Sequence, residues 1–427
     1  MALSLYLLTF NCGRALVQSD VFAPHLFDAL NPASKSPEIV VLSLQEIAPI
    51  GYSFLGGSFL TPYFNAFHNA VKSACKDKDH SYVNVVTRNL GMTALMVFAR
   101  DDMADNLTWL QTAGVGLGVS EMGNKGAVGV RLGYKVPDGQ EMQLTFVSAH
   151  LAPMEDGLEQ RNEDYKNIVQ RLVFVPDPGR KAVAQDEQSE DAPLLQGTSS
   201  PQTTSESGIY SPESHLFFAG DLNYRTSLLQ PSPLDVQQRF PQPTQNEDDP
   251  KHFRHLLAED QLTQQIKAGN TLHGLTEAPI TFPPTYKYDN EGDKAVTLDG
   301  EGDWAWASHR WPSWCDRIFF KNRNDDDDVK VTPQKYTCLP LFATSDHRPV
   351  ALAATVPLKA VLEAGAADRA PFQIDTSWKS RRAMARRKEL AVGMLAYLTL
   401  TREGNGLLAA SVIGAIGGWL IIRSLLV

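Results

Sequence analysis

A chain of 427 residues with 43% hydrophobic content has ample material for one large core and too little for several independent domains. Its net charge of -10 and pI near 5.5 argue against a general nucleic-acid surface, which needs basic residues to neutralise phosphates. The cysteines, Cys12, Cys75, Cys315 and Cys338, are scattered without a CxxC pair, which speaks against a disulfide framework or a structural zinc and fits a reducing, cytosol-facing compartment.

The amino-terminal "MALSLYLLTFNCGR" lacks a basic n-region and a cleavage site, so it predicts a core strand that ends at Asn11. "IVVLSLQE" predicts a second buried strand delivering Glu46, and "LTFVSAH" a third delivering His150. Residues 176–214, rich in Ser, Thr, Pro, Gln and acids, predict a disordered insertion within the domain, because strand patterns resume beyond it. There "LFFAGDLN" delivers Asp221 and Asn223. The "NDDDD" run at 324–328 predicts a solvated turn, since a calcium loop needs spaced ligands and a glycine. "SDHRPVALAATV" reverses the order, with Asp346 and His347 just ahead of a strand.

The far end differs in kind. "KSRRAMARRKE" at 379–389 is basic and predicts a cytosolic juxtamembrane stretch that attracts anionic lipid. "LAVGMLAYLTL" at 390–400 is too short to span a bilayer alone. "GLLAASVIGAIGGWLIIRSLLV" at 406–427 is long enough, and predicts a tail anchor with Ala410, Gly414 and Gly418 on one small-residue face.

Each strand end taken singly is an ordinary terminus. Together they supply carboxylates, imidazoles and amides where a site on a sheet edge is built, without a Gly-rich phosphate loop or a GxSxG elbow. That inventory suits metal-assisted hydrolysis. A phosphate ester repels nucleophiles, so the chemistry needs a hard cation on carboxylate oxygen, here Glu46 with Asn11 or Asp346. Asp221 and Asn223 can activate and orient water; His150 and His347 can donate to phosphate oxygens, and Asp316 is the candidate for fixing an imidazole tautomer.

"FFAGDLNYR" and "WPSWCDRIFF" closely resemble the two signature motifs of the inositol polyphosphate 5-phosphatases, within the DNase I-like endonuclease/exonuclease/phosphatase superfamily. "LTFNCGR", "LSLQEIAP", "GNKGAVGVRL", "VSAHL", "RNEDY", "FPPTYKYD" and "TSDHRPV" match in the family's order, over roughly residues 3–357. The resemblance implies a four-layer α/β sandwich, two packed mixed β-sheets flanked by helices, to which the sequence adds a C-terminal transmembrane helix. It implies Mg2+ dependence, with Glu46 the principal ligand and Asp346 beside the metal. It makes Asp221 the group that activates water, Asn223 its orienter and Asn11 their support. His150 then binds the scissile phosphate and His347, held by Asp316, stabilises its charge. Asn124, Lys125, Arg225 and Arg317 are implied in the phosphate pocket, with a structural salt bridge the alternative for Arg317. Tyr286, Lys287 and Arg310 are implied at a neighbouring 4-phosphate.

Three departures bear on substrate preference: Ser308 stands where the family usually carries Lys, the segment "NEGDKAVTLDGEGDWAWASHR" is unusual and acidic, and Met154 stands where a second His is often found. The expected domains are a catalytic unit at 1–357, a linker at 358–389 and a hydrophobic anchor at 390–427. The expected activity is release of the 5-phosphate from phosphatidylinositol 4,5-bisphosphate at a membrane, with the endoplasmic reticulum the expected location and no nucleic-acid partner. A neutral sphingomyelinase-like phosphodiesterase and an inactive membrane-tethered phosphoinositide-binding scaffold are the competing readings.

Overall fold

The computed structural model describes residues 2–31, 35–75, 80–137, 139–176, 207–289, 294–298, 302–322, 329–359 and 370–426. The strands are, in chain order, β1 (Ala2–Asn11), β2 (Ile39–Gln45), β3 (Tyr82–Leu90), β4 (Thr93–Arg100), β5 (Leu107–Gly116), β6 (Gly126–Lys135), β7 (Glu141–His150), β8 (Val175–Pro176), β9 (Ser214–Asp221), β10 (Thr276–Glu277), β11 (Val296–Thr297), β12 (Asp316–Phe320), β13 (Thr332–Cys338), β14 (Leu341–Phe342) and β15 (Val350–Pro357). The α-helices are α1 (Ser19–Phe22), α2 (Ile50–Leu55), α3 (Thr61–Ala74), α4 (Leu158–Arg171), α5 (Pro233–Arg239), α6 (Phe253–Leu257), α7 (Gln261–Lys267), α8 (Trp378–Leu400) and α9 (Arg402–Leu425).

One sheet runs β13-β15-β1-β2-β4-β3 and the other β10-β12-β9-β7-β6-β5-β8. Both are mixed: β1 pairs parallel with β2 and antiparallel with β15, while β7 pairs parallel with β9 and β9 antiparallel with β12. Strand alternation explains the layering. Leu3, Leu5 and Leu7 of β1 face the inter-sheet core with Leu144, Phe146, Phe217 and Ala219, while Tyr6, Leu8 and Phe10 face an outer cluster that includes Phe67 and Ala70 of α3. Val147, Ala149, Leu216 and Phe218 turn the other way, onto Tyr165 and Ile168 of α4. Strands buried on both faces read as unbroken apolar runs, which is how they stand in the sequence. The result is the four-layer, DNase I-like sandwich that the sequence predicts.

The boundaries depart from expectation in two places. Residues 177–206 of the expected insertion lie outside the described residues, as does "NDDDD", but 207–214 are packed. Ser207 pairs with Phe174, and Ile209 and Tyr210 are buried, so the last residues of the expected insertion belong to the packed domain despite their polar neighbours. The expected division at 389/390 is also replaced: α8 runs through it and breaks at Thr401, whose Oγ1 accepts from Gly404 N of α9 at 3.0 Å. The basic stretch is helical, and three of its arginines pair with acidic side chains while Lys379, Arg387 and Lys388 stay exposed. Arg382 and Arg386 pair with the buried Glu389, and Arg381 with Glu121 and Asp375. α9 is, among the described residues, the one helix long and apolar enough to cross a membrane, with a mean hydropathy of 1.8 in its most apolar window. At ~1.5 Å per residue it is ~36 Å long, against a hydrocarbon core of ~30 Å.

Candidate active site

The sheet topology gathers the polar strand ends at one edge. Asn11 sits opposite Gln45 in the parallel β1–β2 pair, one residue before Glu46. His150, Asp221 and Asp316 stand side by side across β7, β9 and β12. Because β15 runs antiparallel to β1, the residues preceding it, Asp346 and His347, arrive at the same edge. Beneath them the apolar core gives way to a buried polar floor: Ser43 Oγ donates to Ser148 Oγ at 2.9 Å, and Gln45 Nε2 donates to both hydroxyls.

An open cleft of about 640 Å³ lies over this edge. Asp221 is at its floor, 1% exposed. Its Oδ2 accepts from Asn11 Nδ2 at 2.8 Å and meets His150 Nε2 at 3.1 Å, its Oδ1 accepts from Asn223 N at 3.1 Å, and His347 Nε2 lies 3.9 Å away. Burial alone would raise its pKa, but the charges of His347 and His150 outweigh burial and hold the carboxyl far below its usual range. His347 is the counterpart. Burial disfavours its charged form, yet the Asp316 and Asp221 carboxylates push it up to about 9, and its Nδ1 is fixed by Asp316 Oδ2 at 2.8 Å. Asp316 also accepts from Thr285 Oγ1 at 2.8 Å. His150 moves the opposite way, lowered by burial and by the Lys125 ammonium that touches its Nε2.

Glu46 has a left-handed backbone, φ 46°, as does Asn223 at φ 58°. Such conformations in non-glycine residues cost energy and recur at functional sites. For Glu46 the surroundings that hold it are Arg14, whose N donates to Glu46 O at 2.7 Å and whose Nε meets Oε2 at 2.8 Å, and Lys125 Nζ at 3.5 Å. Burial opposes ionisation here too, but His150, Lys125 and Arg14 together lower the Glu46 pKa.

Of the residues singled out in the sequence, Asn11, Glu46, Lys125, His150, Asp221, Asn223, Arg225, Tyr286, Lys287, Asp346 and His347 line the cleft, with Asp316 behind His347. Arg225 is buried, donates to Asn223 O at 3.0 Å and lies over the Tyr286 ring at 4.4 Å; its Nη1 has no hydrogen-bond partner among the described residues. Lys287 Nζ is 2.5 Å from Asp346 Oδ2.

Three expected substrate contacts do not reach the cleft. Arg317 is fully buried between Asp260 at 3.0 Å and Glu277 at 2.5 Å, because it follows Asp316 on β12 and so faces the opposite side of the strand. Arg310 turns to Glu155 at 3.5 Å and to Met154 Sδ. Asn124 folds its amide over Gly118, while its neighbour Lys125 enters the cleft. The sequence reading missed Arg14 as a cleft residue, although it lies in the quoted "LTFNCGR"; its pairing with a carboxylate across two strands left no local signal. It also missed Ser345, whose Oγ donates to Asn11 O at 2.6 Å and accepts from His347 N at 3.1 Å.

A hard divalent cation fits the donor chemistry of this edge. Glu46, Asp221, Asn11 and Asp346 offer oxygen only, and the three carboxyls are held ionised. Glu46 and Asp346 both line the cleft as candidate ligands, Glu46 paired with Arg14 and Lys125 and Asp346 with Lys287.

Residues 8–353 match the family described as Endonuclease/Exonuclease/phosphatase family 2. The Type II inositol 1,4,5-trisphosphate 5-phosphatase of Mus musculus is 27% identical over 336 residues, 78% of this chain and 28% of that protein. The polyphosphatidylinositol phosphatase INP53 of Saccharomyces cerevisiae is 28% identical over 316 residues, 74% of this chain and 23% of that protein. The chain thus spans less than a third of the length of these relatives. Among solved structures, the inositol polyphosphate 5-phosphatase domain of SpSynaptojanin, in complex with inositol (1,4)-bisphosphate and calcium ion, is similar with a TM-score of 0.60 at 21% identity, covering 92% of this chain and 90% of that one. A Cimex nitrophorin in its ferrous NO complex shares the fold with a TM-score of 0.50 at 17% identity, over 83% of this chain and 99% of that one, so the fold alone does not fix the reaction.

Proposed function

From the premise that the chain belongs to the endonuclease/exonuclease/phosphatase family 2 and is a relative of the inositol polyphosphate 5-phosphatases, we propose that it hydrolyses the 5-phosphate of phosphatidylinositol 4,5-bisphosphate at a membrane surface, giving phosphatidylinositol 4-phosphate. One observation carries this reading. A buried, ionised Asp221, bonded to Asn11 and His150 and facing a charged His347, shares its cleft with the unpartnered Nη1 of Arg225.

In this reading Asp221 accepts the proton of the attacking water, and Asn223 and Asn11 fix the orientation of its carboxylate. His347 enters as an imidazolium, with Asp316 holding Nδ1 so that Nε2 donates to the phosphate as charge builds on its oxygens. Lys125, Arg225 and His150 bind the same phosphate. Magnesium, held by Glu46 with Asp346 nearby, would supply Lewis-acid polarisation of the phosphoryl group when bound. Water attacks phosphorus directly, the bond to the inositol oxygen breaks, and that oxygen takes up a proton.

The preference for the lipid bisphosphate rests on two features. Lys287 and Tyr286 line the cleft beside the phosphate site and suit a neighbouring 4-phosphate, although exposed Ser308 offers no cation there. α9 is long and apolar enough to serve as a C-terminal membrane anchor; in this reading the catalytic unit lies on the cytosolic side, at the endoplasmic reticulum, and tethering raises the effective concentration of a lipid substrate. The test is phosphate release by the full chain in detergent micelles, with magnesium or chelator. The substrates are short-chain phosphatidylinositol 4,5-bisphosphate, soluble inositol 1,4,5-trisphosphate and sphingomyelin. Magnesium-dependent release, fastest from the lipid bisphosphate, is expected. Cleavage of sphingomyelin would favour the phosphodiesterase reading, and no turnover of any substrate would favour a binding scaffold.

A further inference from the structure

Glu389 belongs to the stretch whose basic composition suggested a lipid-facing segment, yet it is fully buried and 266 residues away in sequence from its partner. Its Oε1 accepts from Gly123 N at 3.0 Å, two residues ahead of Lys125. Two arginines of the same helix hold it there: Arg382 with two contacts, at 2.8 and 3.1 Å, and Arg386 at 3.4 Å. Arg386 also donates to Phe54 O at 2.6 Å and to Leu55 O, at the carboxyl end of α2. α8 approaches α2 closely. A Cβ on Gly393 would stand 2.7 Å from Phe54 Cβ, and one on Gly51 would stand 3.0 Å from the Tyr397 backbone.

Gly123 is also the start of a backbone relay into the cleft. Its carbonyl accepts from Met92 N at 2.8 Å, and Met92 O accepts from Ile47 N at 3.2 Å, next to Glu46. Lys125 closes the circuit from the other side through Glu46 and His150. There is no room to rearrange at Gly91, where a Cβ would fall 2.1 Å from Gly123 O. The Gly123 amide is therefore the point at which α8 takes hold of both the Lys125 loop and the turn that carries Glu46.

We propose that Glu389 is a positioning residue for turnover: by accepting the Gly123 N–H it sets the Lys125–Glu46 side of the cleft, and its arginines serve to aim it. It touches neither substrate nor metal in this role. The turnover part rests on the phosphatase reading given above; the positioning part does not.

The test compares Glu389→Ala with Glu389→Gln in the full chain in detergent micelles. Both lose the ion pairs, but only Ala loses the acceptor for Gly123 N–H. The readouts are site-resolved amide exchange over residues 117–126, and kcat and KM on short-chain phosphatidylinositol 4,5-bisphosphate. Glu389→Ala should speed exchange at Gly123 about tenfold or more and lower kcat/KM about tenfold, mostly in kcat, in keeping with a lost charge-assisted hydrogen bond and a displaced reacting group. Glu389→Gln should stay within about threefold of wild type in both, with a thermal midpoint below that of wild type, from the lost ion pairs, and above that of Ala, which also leaves the Gly123 N–H unsatisfied. Equal loss of turnover in the two variants would overturn the assignment, as would unchanged exchange in Glu389→Ala, or faster exchange with unchanged kcat/KM. If Glu389→Ala does not fold, the wild-type chain decides: a Gly123 amide exchanging as fast as an open loop amide refutes the tie, and strong protection retained in Glu389→Gln supports it. A wild-type chain without turnover sinks the phosphatase reading and leaves the exchange result to judge Glu389.

Discussion

Asp221→Asn removes a charge from the centre of the cleft without changing its volume. The wild-type carboxylate takes three short contacts, from Asn11 Nδ2 at 2.8 Å, His150 Nε2 at 3.1 Å and Asn223 N at 3.1 Å. An asparagine oxygen can keep one of these N–H donors, and its amide can donate to a neutral His150, whose pKa is already lowered. The fold should therefore persist. What is lost is a positioned base, worth ~100- to 10,000-fold in rate, or ~3–5.5 kcal/mol in the barrier. The assay is kcat and KM for short-chain phosphatidylinositol 4,5-bisphosphate at saturating magnesium, with circular dichroism to verify folding. kcat should fall by at least ~100-fold, and KM should move little because Lys125 and Arg225, the cations proposed to bind the phosphate, remain in the cleft. A folded variant keeping a tenth of the wild-type kcat would falsify the role given to Asp221.

The other expectations concern neighbouring groups. Arg317→Met leaves Asp260 and Glu277 buried without their cation, so stability should fall by ~3–5 kcal/mol in urea denaturation while KM of the folded enzyme holds; a raised KM at unchanged stability would restore a substrate role. Ser308→Lys adds a cation at the cleft rim and should lower KM only for substrates carrying a 4-phosphate, by up to ~5-fold for an exposed charge; an equal gain on a substrate without it would refute the placement. Asp164 is raised by burial from 3.8 to about 6, so its contribution to stability is present below 3.8 and is lost as pH rises through about 6. At ~1.36 kcal/mol per pH unit the loss approaches ~3 kcal/mol. Asp164→Asn should therefore gain on wild type in unfolding free energy between about pH 4 and pH 7, and parallel pH curves for the two would contradict this.

Much of the sandwich was legible because each buried strand is an apolar run closed by one polar residue. "LTFVSAH" ends at His150 and "LFFAGD" at Asp221, and the two stand in register in the folded chain. Strand period decides between the two readings of Arg317: Asp316 and Arg317 are consecutive, so one faces the cleft and the other the ion pair behind it. Arg310 and Asn124 lie away from the cleft for another reason, since Glu155 and Gly118 hold them by contacts that no local pattern encodes. The docking of α8 was illegible in the same sense. A basic run has the same composition whether it meets lipid headgroups or a buried glutamate, and the partner backbone lies more than 260 residues earlier.

In the proposed membrane anchor, the break between α8 and α9 at Thr401 sets the mechanics. Gly404 is buried against the Tyr397 backbone, and Tyr52 of α2 donates to Glu403 at 3.1 Å, so the apolar helix leaves the folded body without a leash. With α9 in a bilayer the cleft is carried at a fixed height and tilt, like a tool on a stalk, and searches by lateral drift and spin instead of by swinging. Inserting a few glycines after Thr401 would then change which lipids the cleft can reach without altering a single residue inside it.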